Sequence, residues 1–254
     1  MTVALLLLSL DLGLLLRGDV VAGEPLAMAP AVRTFYARRA QQPAWNAASL
    51  ATLLRAIDAL ENDGLTPAHY HRAALARLPE GAERDILATD AFLLAAEHLS
   101  RGVVDPQFAR PSWCIAPGPL DLAAVLQAAL DEQTIAESLA RLTTQHEGYV
   151  RLRNALAAYR AVADGGGWPV VPAGRSLRLG DDDPRVAELR ARLGASPGTR
   201  FDDELDTLVR HFQSHHGIAA DGVAGPETLR ELNVSAADRV RQIAANMERW
   251  RWMP

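Results

Sequence analysis

Ser49-Leu50-Ala51-Thr52-Leu53-Leu54-Arg55-Ala56-Ile57-Asp58-Ala59-Leu60 decides how the chain is read. Leu50, Leu53, Leu54, Ile57 and Leu60 recur at helical spacing. At ~3.6 residues per turn they share one face of a helix. Asn62-Asp63-Gly64 then stops it, because glycine admits the left-handed backbone with which helices end. Thr66-Pro67 offers a cap and a proline at the first helical position, where a missing N–H costs nothing. Downstream, a helix is expected from Ala82 to Ser100, with Gly102 as its stop. Pro106, Pro111, Pro117 and Pro119 mark a loop. Asp121 opens a helix through Leu130, and two more follow, ending near Tyr159 to Ala163. No alternation of apolar and polar residues argues for strands.

The expected fold is therefore all-α. Residues 24–165 form a helical domain, and residues 166–174 a Gly/Pro hinge beginning Gly166-Gly167-Trp168-Pro169. Residues 175–234 form a small three-helix domain. Its first helix follows Asp183-Pro184 and carries Val186, Leu189 and Leu193. Asp202 or Asp203 caps the second, which carries Leu205, Leu208, Val209 and Phe212. Asp221-Gly222 is a turn, and Gly225-Pro226 starts the third helix, with Leu229 and Leu232. Residues 235–254 form a linker helix capped by Ser235. Val240, Ile243, Ala244, Met247 and Trp250 make an apolar stripe on it, among Arg239, Arg241, Arg249 and Arg251. The apolar end Trp252-Met253-Pro254 implies a covering segment beyond it, since free ends are usually polar.

Composition excludes several chemistries. The 254 residues are 49% apolar and 22% charged, enough to build a core. The net charge of −5 lacks the basic footprint of a nucleic-acid binder. All 26 basic residues are arginine, which excludes a lysine nucleophile, a Schiff base and a phosphate-loop lysine. One cysteine, Cys114, excludes an internal disulfide and a multi-cysteine metal site.

Val3 to Leu16 is mostly leucine, too short for the ~20 residues that span a bilayer. It fits the apolar region of a secretory signal, followed by Val21-Ala22-Gly23 or Ala27-Met28-Ala29 as a small-residue exit. No basic residue precedes it, and Asp11 lies inside it. The favoured expectation is a targeting segment over residues 1–23, a mature chain from about Glu24 and export to the periplasm. The competing one is a buried helix of the first domain.

Cys114 has Arg110 as its nearest basic residue in sequence and reads as a bland cysteine. His211 and His215, four apart on a helix, could grip a metal. No glutamate lies between them, and a third ligand would have to come from Asp202, Asp203 or Asp221. The pair is read as a solvated face, and no metal or cofactor is expected. Asp181-Asp182-Asp183 lacks the glycine and terminal glutamate of a calcium loop. Asp202-Asp203-Glu204 suits the positive end of a helix dipole.

Residues 177–234 resemble the peptidoglycan-binding domain of bacterial cell-wall enzymes. The matching string is Leu177, Gly180, Arg185-Val186-Ala187-Glu188-Leu189-Arg190 and Val209-Arg210-His211-Phe212-Gln213. It continues through His216-Gly217-Ile218-Ala219-Ala220-Asp221-Gly222-Val223-Ala224-Gly225-Pro226, Thr228-Leu229 and Leu232-Asn233-Val234. Phe35-Tyr36-Ala37-Arg38-Arg39, Pro43-Ala44-Trp45, Asp63-Gly64-Leu65-Thr66-Pro67 with Tyr70-His71, and Gly166-Gly167-Trp168-Pro169 resemble the helical scaffold of large L,D-transpeptidases. Arg241-Gln242-Ile243 and the run from Asn246 to Pro254 resemble the approach to that family's catalytic domain.

The resemblance implies peptidoglycan as partner, through glycan strand or stem peptide. It also implies a catalytic domain in cis, with a cysteine in a Ser/Thr-His-Gly-Cys motif and an upstream histidine. Neither motif is present here, and Cys114 follows a tryptophan, so no catalytic residue is assigned. The expected function is the peptidoglycan-binding and scaffold portion of an L,D-transpeptidase-type cross-linking protein. A complete non-enzymatic wall-binding protein and a helical protein-interaction scaffold are the alternatives. Binding is expected beside the second small helix and the Asp221-Gly222 loop. There Arg210, Gln213, His216 and Asp221, taken as exposed, would hydrogen-bond muropeptide or glycan groups.

Overall fold

The computed structural model describes residues 12–109, 111–115 and 118–253. The chain divides into two compact units, residues 1–156 with 243–254, and residues 157–242. It is essentially all-α, as the hydrophobic period requires.

The first unit contains α1 (Ala29–Arg38), α2 (Ala47–Ala59), α3 (Arg72–Arg77), α4 (Ala82–Arg101), α5 (Pro106–Ala109), α6 (Leu122–Asp131) and α7 (Ile135–Leu142). Short 3-10 helices cover Leu60–Asp63 and Pro67–Tyr70. Asn46 and Ser49 exchange hydrogen bonds at the start of α2, a reciprocal cap. Gly64 ends the following turn with φ 73°. Asp121 caps α6 by accepting from the Ala124 N–H. A small antiparallel ribbon, β1 (Val20–Val21) and β2 (Glu24–Pro25), lies outside the all-helical expectation. Ala22 and Gly23 both take positive φ, as a two-residue hairpin turn demands.

α4 is the axis of this unit. Ile86, Leu87, Ala88, Ala91, Phe92, Leu93, Ala95 and Ala96 are fully buried, so the helix is apolar on nearly every side. Its two buried carboxylates fasten arriving chain. Asp85 accepts from the Tyr36 hydroxyl at 2.5 Å and from the Ala44 and Trp45 N–H groups. Asp90 accepts from the Ala27 and Met28 N–H groups and pairs with His71 Nε2 at 2.9 Å. Burial raises the Asp85 carboxyl above its usual range, and the hydrogen bonds from Tyr36, Ala44 and Trp45 oppose that shift.

Residues 1–11 of the expected targeting segment lie outside the described residues. Leu12, Leu16 and Val21, within its described part, are buried in the same core as α4. Arg33 donates to the Leu16 carbonyl at 2.9 Å. Among the described residues, no helix is long and apolar enough to cross a membrane.

α8 (Glu147–Asp164) begins in the first unit and ends in the second. In the second lie α9 (Arg185–Leu193), α10 (Asp203–His215) and α11 (Pro226–Leu232). Their core is Val186, Leu189, Phe201, Leu205, Val209, Phe212, Leu229 and Leu232, closed by Val171, Leu177 and Ala224. Asp202 caps α10 by accepting from the Leu205 N–H. Buried Arg190 binds Asp202, Glu204 and the Ser196 carbonyl, pinning α9 to the start of α10. The residues read as a hinge are fastened here. Val171 exchanges two 2.9 Å hydrogen bonds with the Asn233 side chain, and Trp168 donates to the Val234 carbonyl.

α12 (Ala236–Arg251) starts in the second unit, where Ser235 accepts from the Asp238 N–H, and its last turns belong to the first. There Met247 is fully buried, Trp250 stacks on His146 at 4.1 Å and Trp252 meets Trp113 edge-on. Trp250 and Trp252, at the apolar end expected to be covered by a further segment, are thus packed within the first unit itself, while Met253 is exposed. Arg251 donates to Glu248, to the Asp63 carbonyl and to the Tyr149 hydroxyl. Tyr149 in turn donates to the Asp63 carboxylate at 2.9 Å.

Candidate functional site

The second unit carries the expected binding residues, and the loop after α10 sets their geometry. Asp221-Gly222 must turn sharply before α11 begins at Pro226. Gly222 takes φ 75°, and a Cβ there would collide with the Asp206 carboxylate and the Arg210 guanidinium. The loop is fastened from below by Gln213.

Gln213 was expected to be exposed, and it is 1% exposed. Its amide nitrogen donates to Asp221 Oδ1 at 2.8 Å, the Val223 carbonyl at 3.0 Å and Thr228 Oγ1 at 3.1 Å. Its Oε1 accepts from the Gly222 N–H at 3.0 Å. Both ends of the amide are engaged inside the protein, so Gln213 shapes the loop rather than facing a ligand. The reason is register. Gln213 lies four residues after Val209 and next to Phe212, on the face that packs inward.

Arg210, on α10 beside the loop, and Asp221, on the loop itself, are both exposed. Arg210 donates to Asp206 at 2.7 Å and to the Ala220 carbonyl at 2.8 Å. Asp221 accepts from the Val223 N–H and from Gln213, and those bonds hold its carboxyl below the usual range. His216 is not part of this group. Its backbone N–H donates to the Gln213 carbonyl at the end of α10, but among the described residues no side-chain hydrogen bond joins it to Arg210, Gln213 or Asp221. Its ring stacks on Phe212 at 3.8 Å, and its Nδ1 meets the Phe212 carbonyl at 2.8 Å. Burial lowers its pKa.

His216 belongs instead to an aromatic and cationic cluster that the sequence did not single out. The Arg192 guanidinium lies over the Trp168 ring at 4.0 Å and 5.9 Å from the Phe212 centroid. Trp168 meets Tyr159 edge-on at 5.7 Å. Arg239, paired with Glu231 at 2.7 Å, contributes positive charge to the same neighbourhood. The available signal was the lone tryptophan in the glycine stretch. An aromatic there needs a partner, but its period says nothing about which one.

The remaining candidates are structural in their contacts. Asp181 accepts from Arg175 and from the Arg178 N–H, and Asp183 binds Arg185. The His211 and His215 rings lie 4.0 Å apart on the exposed face of α10. Among the described residues, no group of three or more histidine, cysteine or carboxylate side chains is placed to hold a metal ion. Cys114 is exposed, and no described residue hydrogen-bonds to it.

Residues 30–156 match the family model of the Scaffold domain, and residues 183–232 match that of the peptidoglycan binding domain. The chain is also similar to N-acetylmuramoyl-L-alanine amidase CwlM of Mycobacterium tuberculosis. The two are 37% identical over 75 residues, covering 23% of this chain and 18% of that protein. It is 34% identical over 65 residues to the zinc D-Ala-D-Ala carboxypeptidase of Streptomyces albus G, covering 22% of this chain and 26% of that protein. The chain thus spans only 18% and 26% of the lengths of these relatives.

Proposed function

This chain belongs to the Scaffold domain family, and from that premise, with its peptidoglycan binding domain, we propose that it holds peptidoglycan without chemically transforming it. The carrying observation is the peptidoglycan binding domain match over residues 183–232, which encloses the Gln213-braced loop. Arg210, on α10 beside that loop, and Asp221, on it, stand exposed. A guanidinium and a carboxylate at fixed positions suit the carboxylates, amides and hydroxyls of a muropeptide.

Co-sedimentation with purified sacculi tests this reading. The protein is expected in the pellet, and its complete retention in the supernatant overturns the reading. Arg210→Ala is expected to weaken pelleting roughly tenfold with unchanged helicity, the loss of about one charge-assisted hydrogen bond.

In its finer form the proposal makes the chain the substrate-side portion of an L,D-transpeptidase-type protein, acting outside the cytoplasmic membrane. The resemblances around Phe35, Asp63 and Trp250 support that form. A thiol nucleophile needs an imidazole or similar base beside it. Cys114 is accordingly expected to form no acyl adduct with a carbapenem, as read by intact mass. A stable adduct on that residue would overturn the non-catalytic assignment.

A further inference from the structure

Among the arginines of the second unit, Arg192 has a distinctive environment. Arg175, Arg185, Arg190, Arg210, Arg239 and Arg241 each meet a carboxylate. Arg192 is half-buried, and among the described residues it pairs with none. Its Nε donates to the Leu232 carbonyl at 2.9 Å. No described residue accepts a hydrogen bond from Nη1 or Nη2. A partly desolvated cation without a counter-ion is costly unless something answers it. The Trp168 face, at 4.0 Å, answers part of the charge but accepts no hydrogen bond in the plane of the fork.

We infer that Arg192 is a receptor for a carboxylate, its free guanidinium edge taking the anion while the half-buried Trp168 ring backs the fork. The fork matches two carboxylate oxygens in one plane, which a lysine ammonium would not. Nε, fixed on the Leu232 carbonyl, holds the plane of the fork before any ligand arrives. Burial lowers the Arg192 pKa, and neighbouring Arg239 adds to that, so charge repulsion also favours an incoming anion. Glu231, beside Arg239, disfavours a dianion such as phosphate and leaves a single carboxylate as the matching charge. The inference rests on the wall-binding reading, in which stem peptides supply free carboxylates. It places their recognition at Arg192, apart from the Arg210–Asp221 loop.

The test uses the full chain and two soluble probes, N-acetyl-D-alanyl-D-alanine and its C-terminal amide. Trp168 donates its indole N–H to the Val234 carbonyl, so its NMR resonance reports events at the stacked guanidinium. The free acid is expected to shift that resonance saturably, and the amide to bind roughly tenfold more weakly or worse. Arg192→Lys, which keeps charge and stem, should lose most of the response, and Arg192→Met all of it. Inorganic phosphate should compete poorly. Equal binding of acid and amide, no shift of the Trp168 resonance, or an unaltered response in Arg192→Lys overturns the inference. Sacculus co-sedimentation of the wild-type protein is read separately. Pelleting without an Arg192-dependent carboxylate response sinks the receptor and leaves the wall-binding reading standing.

Discussion

Gln213 shows how one side chain can specify a loop. Its amide meets four partners across residues 221–228, and an apolar replacement would take the acceptor from the buried Gly222 N–H and weaken the bonding of Asp221, Val223 and Thr228. Gln213→Leu is expected to destabilise the protein by about 1–3 kcal/mol, the penalty for stranded buried polar groups. Hydrogen exchange at the Gly222 amide should accelerate with it, and unchanged protection there would refute the bracing role. The sequence pointed to the right residue for the wrong reason. Glutamine is usually exposed, and that habit outweighed a helical register that puts position 213 inside. Arg210 and Asp221 were legible as surface groups because nothing apolar recurs at their positions. Arg192 was not, because its partners Trp168, Phe212 and Leu232 come from distant points in the chain.

Most helices were legible because their signals are local. The Leu50–Leu60 face, the Asp121 cap and the Gly64 stop all lie within a few residues of what they decide. The helix over Ala29–Arg38 was missed, and the helix expected to open at Pro67 is a 3-10 turn over Pro67–Tyr70 followed by an α-helix over Arg72–Arg77. The latter opens at His71 in a left-handed conformation, with no capping side chain. The apolar stripe of α12 was visible, but what covers it depends on Arg251. That side chain is buried beside Glu248, the Asp63 carbonyl and Tyr149, and removing it takes the cation from the Glu248 carboxylate. Arg251→Met is therefore expected to cost about 3–5 kcal/mol. Urea unfolding should show the loss, and a cost below ~1 kcal/mol would mean the cluster is hydrated rather than a lock.

At the scale of the molecule, the two units respond to acid in different ways. Arg185 lowers the Asp183 carboxyl, Arg190 that of Glu204, and backbone N–H groups those of Asp202 and Asp221. A carboxyl lowered in the folded state gives stability that is present above its unfolded pKa and lost as pH falls below it. All four lie in the second unit, and the first has Asp121, lowered by Arg38 at the start of α6 and away from the α4 core. Asp85 in the first unit is raised by burial, so its own contribution runs the other way and is lost as pH rises. On titration below about pH 4, hydrogen-exchange protection is expected to fail in residues 157–242 before the α4 core. Simultaneous loss in both units would contradict that order.

The ion pairs that fasten the structure draw mainly on guanidinium groups, and the chain contains no lysine. Tyr36, Tyr70 and Tyr149 are all pushed above the ordinary phenol range by burial. With no lysine, the chain has no ammonium side chain to release a proton on the alkaline side of neutrality. Electrophoretic mobility should therefore change little from about pH 10 to 11.5, where a lysine-bearing protein of this size sheds its positive charge.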